Sequence, residues 1–332
     1  MLALALALAI GTNPQGPYDR RLDTAKVGQQ PFQRYFTHDK FGREITFYLT
    51  ELSAKGPLPL VVYVQGSGDG SNFVEVDGRV RPQNGFMTLF DQSKGAIRLL
   101  VVEKPGVKYL DKGSRGGVDA NALEFKKEQT LQRWAEAVSA ALRSCKGIEG
   151  IDRKRVLVAG HSEGALVACT VAAANPEVTH VASLAGGGVS QLYDLIALTR
   201  KGVFAAGVSP DPEKRVAYLV QEWGKVLQDP DSWEKLFLGH PYRRWSSFLS
   251  TSPIEQLSTF GGKVYIAQGT DDSAVDVSSA DALYSQLLSR GKTVTYDRIP
   301  GANHGFSQAE DKTMQGWPAA MKRLLDWFLQ SK

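Results

Sequence analysis

Cysteine and histidine are scarce in this chain, with two and five copies in 332 residues. Neither Cys145 nor Cys169 stands in a metal-ligand spacing. The histidines at 38, 161, 180, 240 and 304 form no H-x-x-x-H or H-E-x-x-H pair. The common metal signatures are therefore missing, and the expectation is no metal and no cofactor. Cys145 and Cys169 fall in helical patterns, where either a disulfide or two buried free thiols would fit. The chain also lacks low-complexity segments and any repeat of 20–50 residues, which excludes solenoid and propeller arrays. Its net charge of +4 is spread without a basic stripe, so nucleic acid is not an expected partner. The length suits one α/β catalytic domain carrying a moderate insertion.

Long apolar runs are missing too. Residues 1–10 are almost pure Leu and Ala, which is too short to span a bilayer but matches a signal-peptide hydrophobic region. The basic residues that usually precede such a region are missing, as they would be if the start codon were assigned late. A poorly packed N-terminal helix is the other reading of the run. No Cys follows it, so no lipoprotein anchor is indicated. Residues 1–16 are expected to be a signal peptide or a disordered N-terminus. The mature protein is then periplasmic or secreted, without a stable membrane anchor, and otherwise cytoplasmic.

The most informative residues are Gly160-His161-Ser162-Glu163-Gly164. An apolar strand-like run, 155–159, precedes them and a helix-like run, 165–174, follows. G-x-S-x-G between strand and helix is the pattern of a nucleophile elbow, a sharp turn that lifts the serine hydroxyl clear of the sheet. Glycine two residues to either side lets strand and helix pass closely. A Gly-rich turn without chemistry would give the same five letters, so partners downstream decide the matter, in the order Ser, acid, His. Strand-like residues 263–268 run into Gly269-Thr270-Asp271-Asp272-Ser273-Ala274-Val275, and strand-like 293–299 ends in Pro300-Gly301-Ala302-Asn303-His304-Gly305-Phe306. Three strand ends thus bring Ser162, an aspartate and His304 to one sheet edge, where open α/β sheets bind ligands. Ser162 would attack a carbonyl carbon, His304 would carry the proton, and the aspartate would fix the imidazole.

A fourth strand end contributes a loop. Apolar residues 58–65 lead into Gly66-Ser67-Gly68-Asp69-Gly70-Ser71, placed where a second oxyanion donor is needed. By position the donors are the backbone N–H groups of Ser67 and Glu163. No Lys-Ser or Lys-Thr follows these glycines, which argues against a phosphate loop. A flexible surface loop is the plainer alternative.

Taken together, these residues resemble an α/β-hydrolase over about 34–330. The acid loop G-x-x-D-x-x-V is similar to that of dienelactone hydrolases and prolyl-oligopeptidase-like enzymes. That resemblance implies Asp272 as the triad acid and leaves Asp271 as a turn residue. It also marks a departure, since Gln65-Gly66 stands where many such hydrolases have His-Gly. The implied fold is a mostly parallel, doubly wound sheet with a helical cap inserted after the sixth strand. Its predicted strands are 34–38, 44–49, 58–65, 97–103, 155–159, 180–185, 263–268 and 293–299. Helical stripes fall at Leu131, Trp134, Val138, Leu142 and at Trp317, Met321, Leu324, Phe328, as core positions. The predicted domains are a core over 30–188 and 256–332, and a cap over 189–255 with helical pieces at 191–201, 213–226 and 232–237.

The cap carries Tyr218, Trp223, Trp233, Phe237, Tyr242, Trp245 and Phe248. Most should pack the cap, while Trp245 and Phe248 are candidates to line an apolar pocket. Gln65, Gly66 and His161 join them as substrate-binding candidates, although His161 also reads as structural. Arg243 and Arg244 read as solvated charges or as partners of a substrate carboxylate. The expected activity is hydrolysis of a carboxylic ester through an acyl-enzyme on Ser162. A peptidase, amidase or thioesterase would use the same triad, and a non-catalytic binding protein on the same fold is the alternative of another class. The expected partner is a small ester or a short peptide-like substrate.

Overall fold

The three most apolar strand runs lie side by side at the middle of one sheet, because a strand covered on both faces needs apolar side chains on both. The structure, a computed structural model, describes residues 20–52, 56–113, 120–309 and 316–331. Among the described residues, nine strands form the main sheet. They are β1 (Arg20–Lys26), β2 (Phe32–His38), β3 (Glu44–Thr50), β4 (Leu58–Val64), β5 (Arg98–Val102), β6 (Ile151–His161), β7 (His180–Leu184), β8 (Lys263–Gly269) and β9 (Val294–Ile299). Their spatial order is β1-β2-β3-β5-β4-β6-β7-β8-β9. The first three strands and the β3–β5 pair are antiparallel, and from β5 to β9 every pairing is parallel. The parallel part therefore collects the chain's turns at one edge.

Helices cover both faces. α1 (Phe86–Ser93) and α10 (Gly316–Gln330) pack on one, burying Phe86, Leu89, Met321, Leu324 and Phe328. α2 is Ala120–Glu128, and α3 (Leu131–Ser144) and α4 (Glu163–Ala174) cover the other face with Trp134, Val138, Leu166 and Val171. α3 starts where the Thr130 hydroxyl accepts from Arg133 N at 3.2 Å, a standard N-cap. Both predicted helical stripes fall on buried faces. Cys145 and Cys169 are buried and unbridged, and burial pushes the Cys169 thiol up to about 12.

Two expectations need correction. Arg20–Lys26 is a strand at the sheet's edge. It was missed because a strand paired on one side needs no apolar run. The insertion accordingly follows the seventh strand, at the same place in the chain. It contains α5 (Gln191–Arg200), α6 (Pro212–Gln228) and α7 (Tyr242–Leu249), followed by α8 (Pro253–Ser258), which packs Leu257 into the core; α9 (Val277–Ser289) follows β8. The predicted helix at 232–237 is absent, and Leu236–Phe237 instead pairs with His240–Pro241 in a short hairpin. Leu238 and Gly239 turn it at φ 46° and 79°, the left-handed pair that tight hairpins require. The helix that does form, α7, starts directly after Pro241. The proposed leader, residues 1–16, lies outside the described residues. Among the described residues no helix is long and apolar enough to cross a membrane.

Candidate active site

Ser162 ends β6 and opens α4 with φ 57° and ψ −126°. A non-glycine residue rarely holds such a backbone, which costs on the order of 1–3 kcal/mol and is found at functional turns. The flanking glycines explain how it is held. A Cβ on Gly160 would come 2.0 Å from the Gly164 carbonyl oxygen, and one on Gly164 would come 2.3 Å from the Gln65 carbonyl oxygen. The first contact is strand against helix; the second presses α4 onto the end of β4. The Ser162 N–H donates to Leu184 O at 2.8 Å, tying the turn to β7.

His304 and Asp272 reach Ser162 from the ends of β9 and β8. His304 Nε2 is 2.9 Å from Ser162 Oγ, and Nδ1 is 2.8 Å from Asp272 Oδ2. The carboxylate can only accept, so Nδ1 carries the proton and Nε2 faces the hydroxyl as an acceptor. Asp272 also accepts from Gln268 Nε2 at 2.9 Å and from the N–H groups of Ala274 and Val275 at 2.8 and 3.0 Å. The two loops are stitched together: Asp271 N donates to Ala302 O at 3.0 Å, and Gly301 N to Thr270 Oγ1 at 2.8 Å. Gly269 allows this approach, since a Cβ there would lie 2.2 Å from Ala302 O. Asp271 is exposed and bonds Thr270; it does not face the histidine.

His161 sits behind His304. Its Nε2 donates to the His304 carbonyl at 3.0 Å, and its ring meets Trp317 edge-on at 4.9 Å. Burial pulls its pKa down to about 4, so it stays neutral and holds the His304 backbone. It is not among the residues lining the cavity at Ser162.

The loop after β4 approaches the serine closely. A Cβ on Gly66 would lie 3.2 Å from Ser162 Cβ, and Ser67 borders the same cavity as Ser162 and Glu163. As the first residue of α4, Glu163 has a backbone N–H with no intrahelical acceptor. Gln65 is buried and lines a neighbouring recess of the loop with Lys104 and Asn84; it is not among the residues lining the cavity at Ser162.

Sequence reasoning missed what holds this loop. Glu103 and Lys104, straight after β5, are both buried. Glu103 accepts from Tyr48 OH at 2.8 Å, Ser71 Oγ at 2.5 Å and Asn72 N at 3.1 Å. Burial outweighs those bonds and raises its carboxyl to about 7. Lys104 Nζ donates to Gly66 O and Gly68 O at 2.6 and 2.5 Å. The available signal was a charged pair directly after an apolar strand, at the edge where the site forms.

The cavity above Ser162 measures about 160 Å³ and is bordered by Ser67, Glu163 and, from the insertion, Asp194, His240, Arg244 and Trp245. A larger groove of about 890 Å³ lies at the opposite strand ends around Asn175, His180 and Lys263, remote from the serine. Trp245 lines the Ser162 cavity; Phe248 does not. Phe248 is fully buried against Trp134, ring centroids 6.4 Å apart, because it lies on the side of α7 that meets the body. Arg244 is not a solvated charge, and Arg243 is half-buried. Arg243 donates to the Lys127 carbonyl, and Arg244, 4% exposed, donates from Nε to Glu163 Oε1 at 3.2 Å. That pairing lowers the Glu163 carboxyl in spite of burial, with Lys104 assisting. Asp194 is raised well above the ordinary range by burial and by its neighbours Asp276 and Asp272. Among the described residues no three His, Cys, Asp or Glu side chains group as a metal site.

A model of the alpha/beta hydrolase family matches residues 61–313, and the chain belongs to that family. Solved structures of similar fold include Est1E from Butyrivibrio proteoclasticus, 15% identical with a TM-score of 0.57, covering 90% of this chain and 99% of the other. Acetyl xylan esterase 1 from Thermoanaerobacterium sp. JW/SL YS485 is 16% identical with a TM-score of 0.55, covering 91% and 88%. The acylaminoacyl peptidase of Pyrococcus horikoshii is 14% identical with a TM-score of 0.60, covering 91% of this chain and 42% of its own. No curated protein sequence matches significantly.

Proposed function

We propose that this hydrolase is a serine esterase that cleaves a carboxylic ester through an acyl-enzyme on Ser162. What carries the reading is the hydrogen-bonded line Asp272–His304–Ser162, at 2.8 and 2.9 Å, ending on a serine in a strained turn. Ser162 Oγ attacks the acyl carbon while His304 Nε2 takes its proton. Asp272 holds the imidazole and stabilises the cation that forms. The negative oxygen of the tetrahedral intermediate is received by the backbone N–H groups of Ser67 and Glu163, at the positive end of α4. His304 then protonates the departing alcohol, and a water activated by the same histidine releases the acid.

The segment 189–255 acts in this reading as a cap that closes the cavity above Ser162, with Trp245 as its apolar wall. The small cavity suits a short acyl or alcohol group. The chain matches most of acetyl xylan esterase 1 but less than half of the acylaminoacyl peptidase chain, which favours an ester over a peptide substrate. A panel of short-chain p-nitrophenyl esters, the matching thioesters and the matching anilides tests this. The expected order has esters fastest and a p-nitrophenol burst on wild type. Anilides turned over faster than esters would replace the esterase reading with the peptidase one.

A further inference from the structure

The peptide unit joining Gly66 to Ser67 contains the N–H proposed for the oxyanion and, on its opposite side, the Gly66 carbonyl. In a trans peptide these two groups point in opposite directions, and no cis bond occurs among the described residues. Lys104 takes the carbonyl side. Its ammonium bonds Gly66 O at 2.6 Å and Gly68 O at 2.5 Å, bracketing Ser67. The residue is 3% exposed and its side chain lies against the Trp134 ring, Nζ 4.4 Å from the centroid.

We infer that Lys104 is a positioning residue for the oxyanion hole: it anchors the Gly66 carbonyl, so that Ser67 N–H faces the cavity of Ser162, and it polarises that amide into a stronger donor. This rests on Ser162 being the nucleophile. The physical basis is that a cation on a carbonyl oxygen draws electron density from the amide nitrogen, and hydrogen bonds in a chain strengthen one another at low dielectric. Burying an ammonium is costly unless it is paired or hydrogen-bonded, and a neutral donor would serve to tie down a surface loop. Glu163, Asp69 and Glu103 face Lys104 and favour its charge, Arg244 opposes it, and the Trp134 and Phe125 rings complete its surroundings. Burial dominates and brings the ammonium down to about 8. It is therefore charged at neutral pH and loses its charge just above.

The test compares wild type with Lys104→Met in kcat, KM, and affinity for an alkylboronic acid, whose tetrahedral adduct on Ser162 presents an anionic oxygen. Losing an oxyanion donor outright costs about 10²–10³-fold, so losing its support should lower kcat and boronate affinity by roughly 10–100-fold with KM nearly unchanged. Wild-type kcat should fall above about pH 8, while the melting temperature is still unaffected, and the limb should be missing from the variant. A folded Lys104→Met with kcat and boronate affinity within about twofold of wild type overturns the inference. If the variant does not fold, a wild-type kcat that stays flat through pH 8–9.5 overturns it, and a limb near pH 8 supports it. Labelling of wild-type Ser162 by a fluorophosphonate separates the two failures. A labelled serine with an indifferent Lys104→Met defeats this inference alone, whereas an unlabelled serine defeats the esterase reading and this inference with it.

Discussion

Asp272 faces His304 Nδ1 at 2.8 Å, while Asp271, one residue earlier, is turned to solvent and bonds Thr270. In the proposed mechanism the two adjacent aspartates have separable tasks. Asp272→Asn should lower kcat by about 10³–10⁴-fold, because an amide can donate to Nδ1 and hold the wrong tautomer. Asp271→Asn should stay within about twofold of wild type, as a surface substitution. Steady-state kinetics on one ester decide it, and the reverse pattern would move the acid to Asp271.

Arg244 and Glu163 form a buried pair at the border of the Ser162 cavity. Removing one charge leaves the other unpaired, which typically costs about 3–5 kcal/mol, whereas replacing both with apolar groups is often close to neutral. Arg244→Met is therefore expected to lower stability strongly, and Arg244→Met with Glu163→Leu to recover part of the loss. Urea unfolding of the two single variants and the double variant measures the coupling. Additive losses would mean that the pair carries no mutual stabilisation.

Burial holds His161, His180 and His240 at about 4, below the ordinary value near 6.5. Between pH 4 and 6.5 the unfolded chain binds more protons at these sites than the folded one, so their share of stability falls as pH falls. Glu103 and Asp194, both raised by burial, act in the opposite sense in part of that range. A difference measurement isolates one histidine. Wild type should lose up to about 1 kcal/mol per pH unit relative to His180→Gln on going from pH 6.5 to 4. Denaturant midpoints at several pH values check this, and parallel curves for the two proteins would contradict it.

Much of the fold was legible because most buried strands announce themselves as apolar runs, several of them ended by a glycine-containing turn. The elbow, the acid loop and the His304 loop were visible for the same reason: the proposed catalytic residues sit on turns whose neighbours are constrained. Gly160, Gly164 and Gly269 turn out to be required because a Cβ at each would come within 2.0–2.3 Å of a backbone carbonyl oxygen, which spacing alone suggested only for the first two. The choice of Asp272 rested on a motif resemblance, and its geometry adds four donors to that argument. Less could be read where pairing across the fold decides the outcome. Lys104 drew no reading in sequence and Arg244 read as a solvated charge or a partner of a substrate carboxylate, because their partners lie 36 or more residues away. Phe248 and Trp245 sit three residues apart on one helix, and only the packing of α7 between body and insertion separates the residue in the core from the residue at the cavity. β1 escaped notice because an edge strand need not be apolar.

The central claim is an activated serine at the elbow. Intact-mass measurement after exposure to a fluorophosphonate probe tests it most directly, with Ser162→Ala alongside wild type. The account predicts one covalent adduct on wild type, mapped to Ser162, and none on the variant. An unmodified wild type, or an adduct that persists in Ser162→Ala, would contradict it and leave a binding protein, or a different nucleophile, in its place.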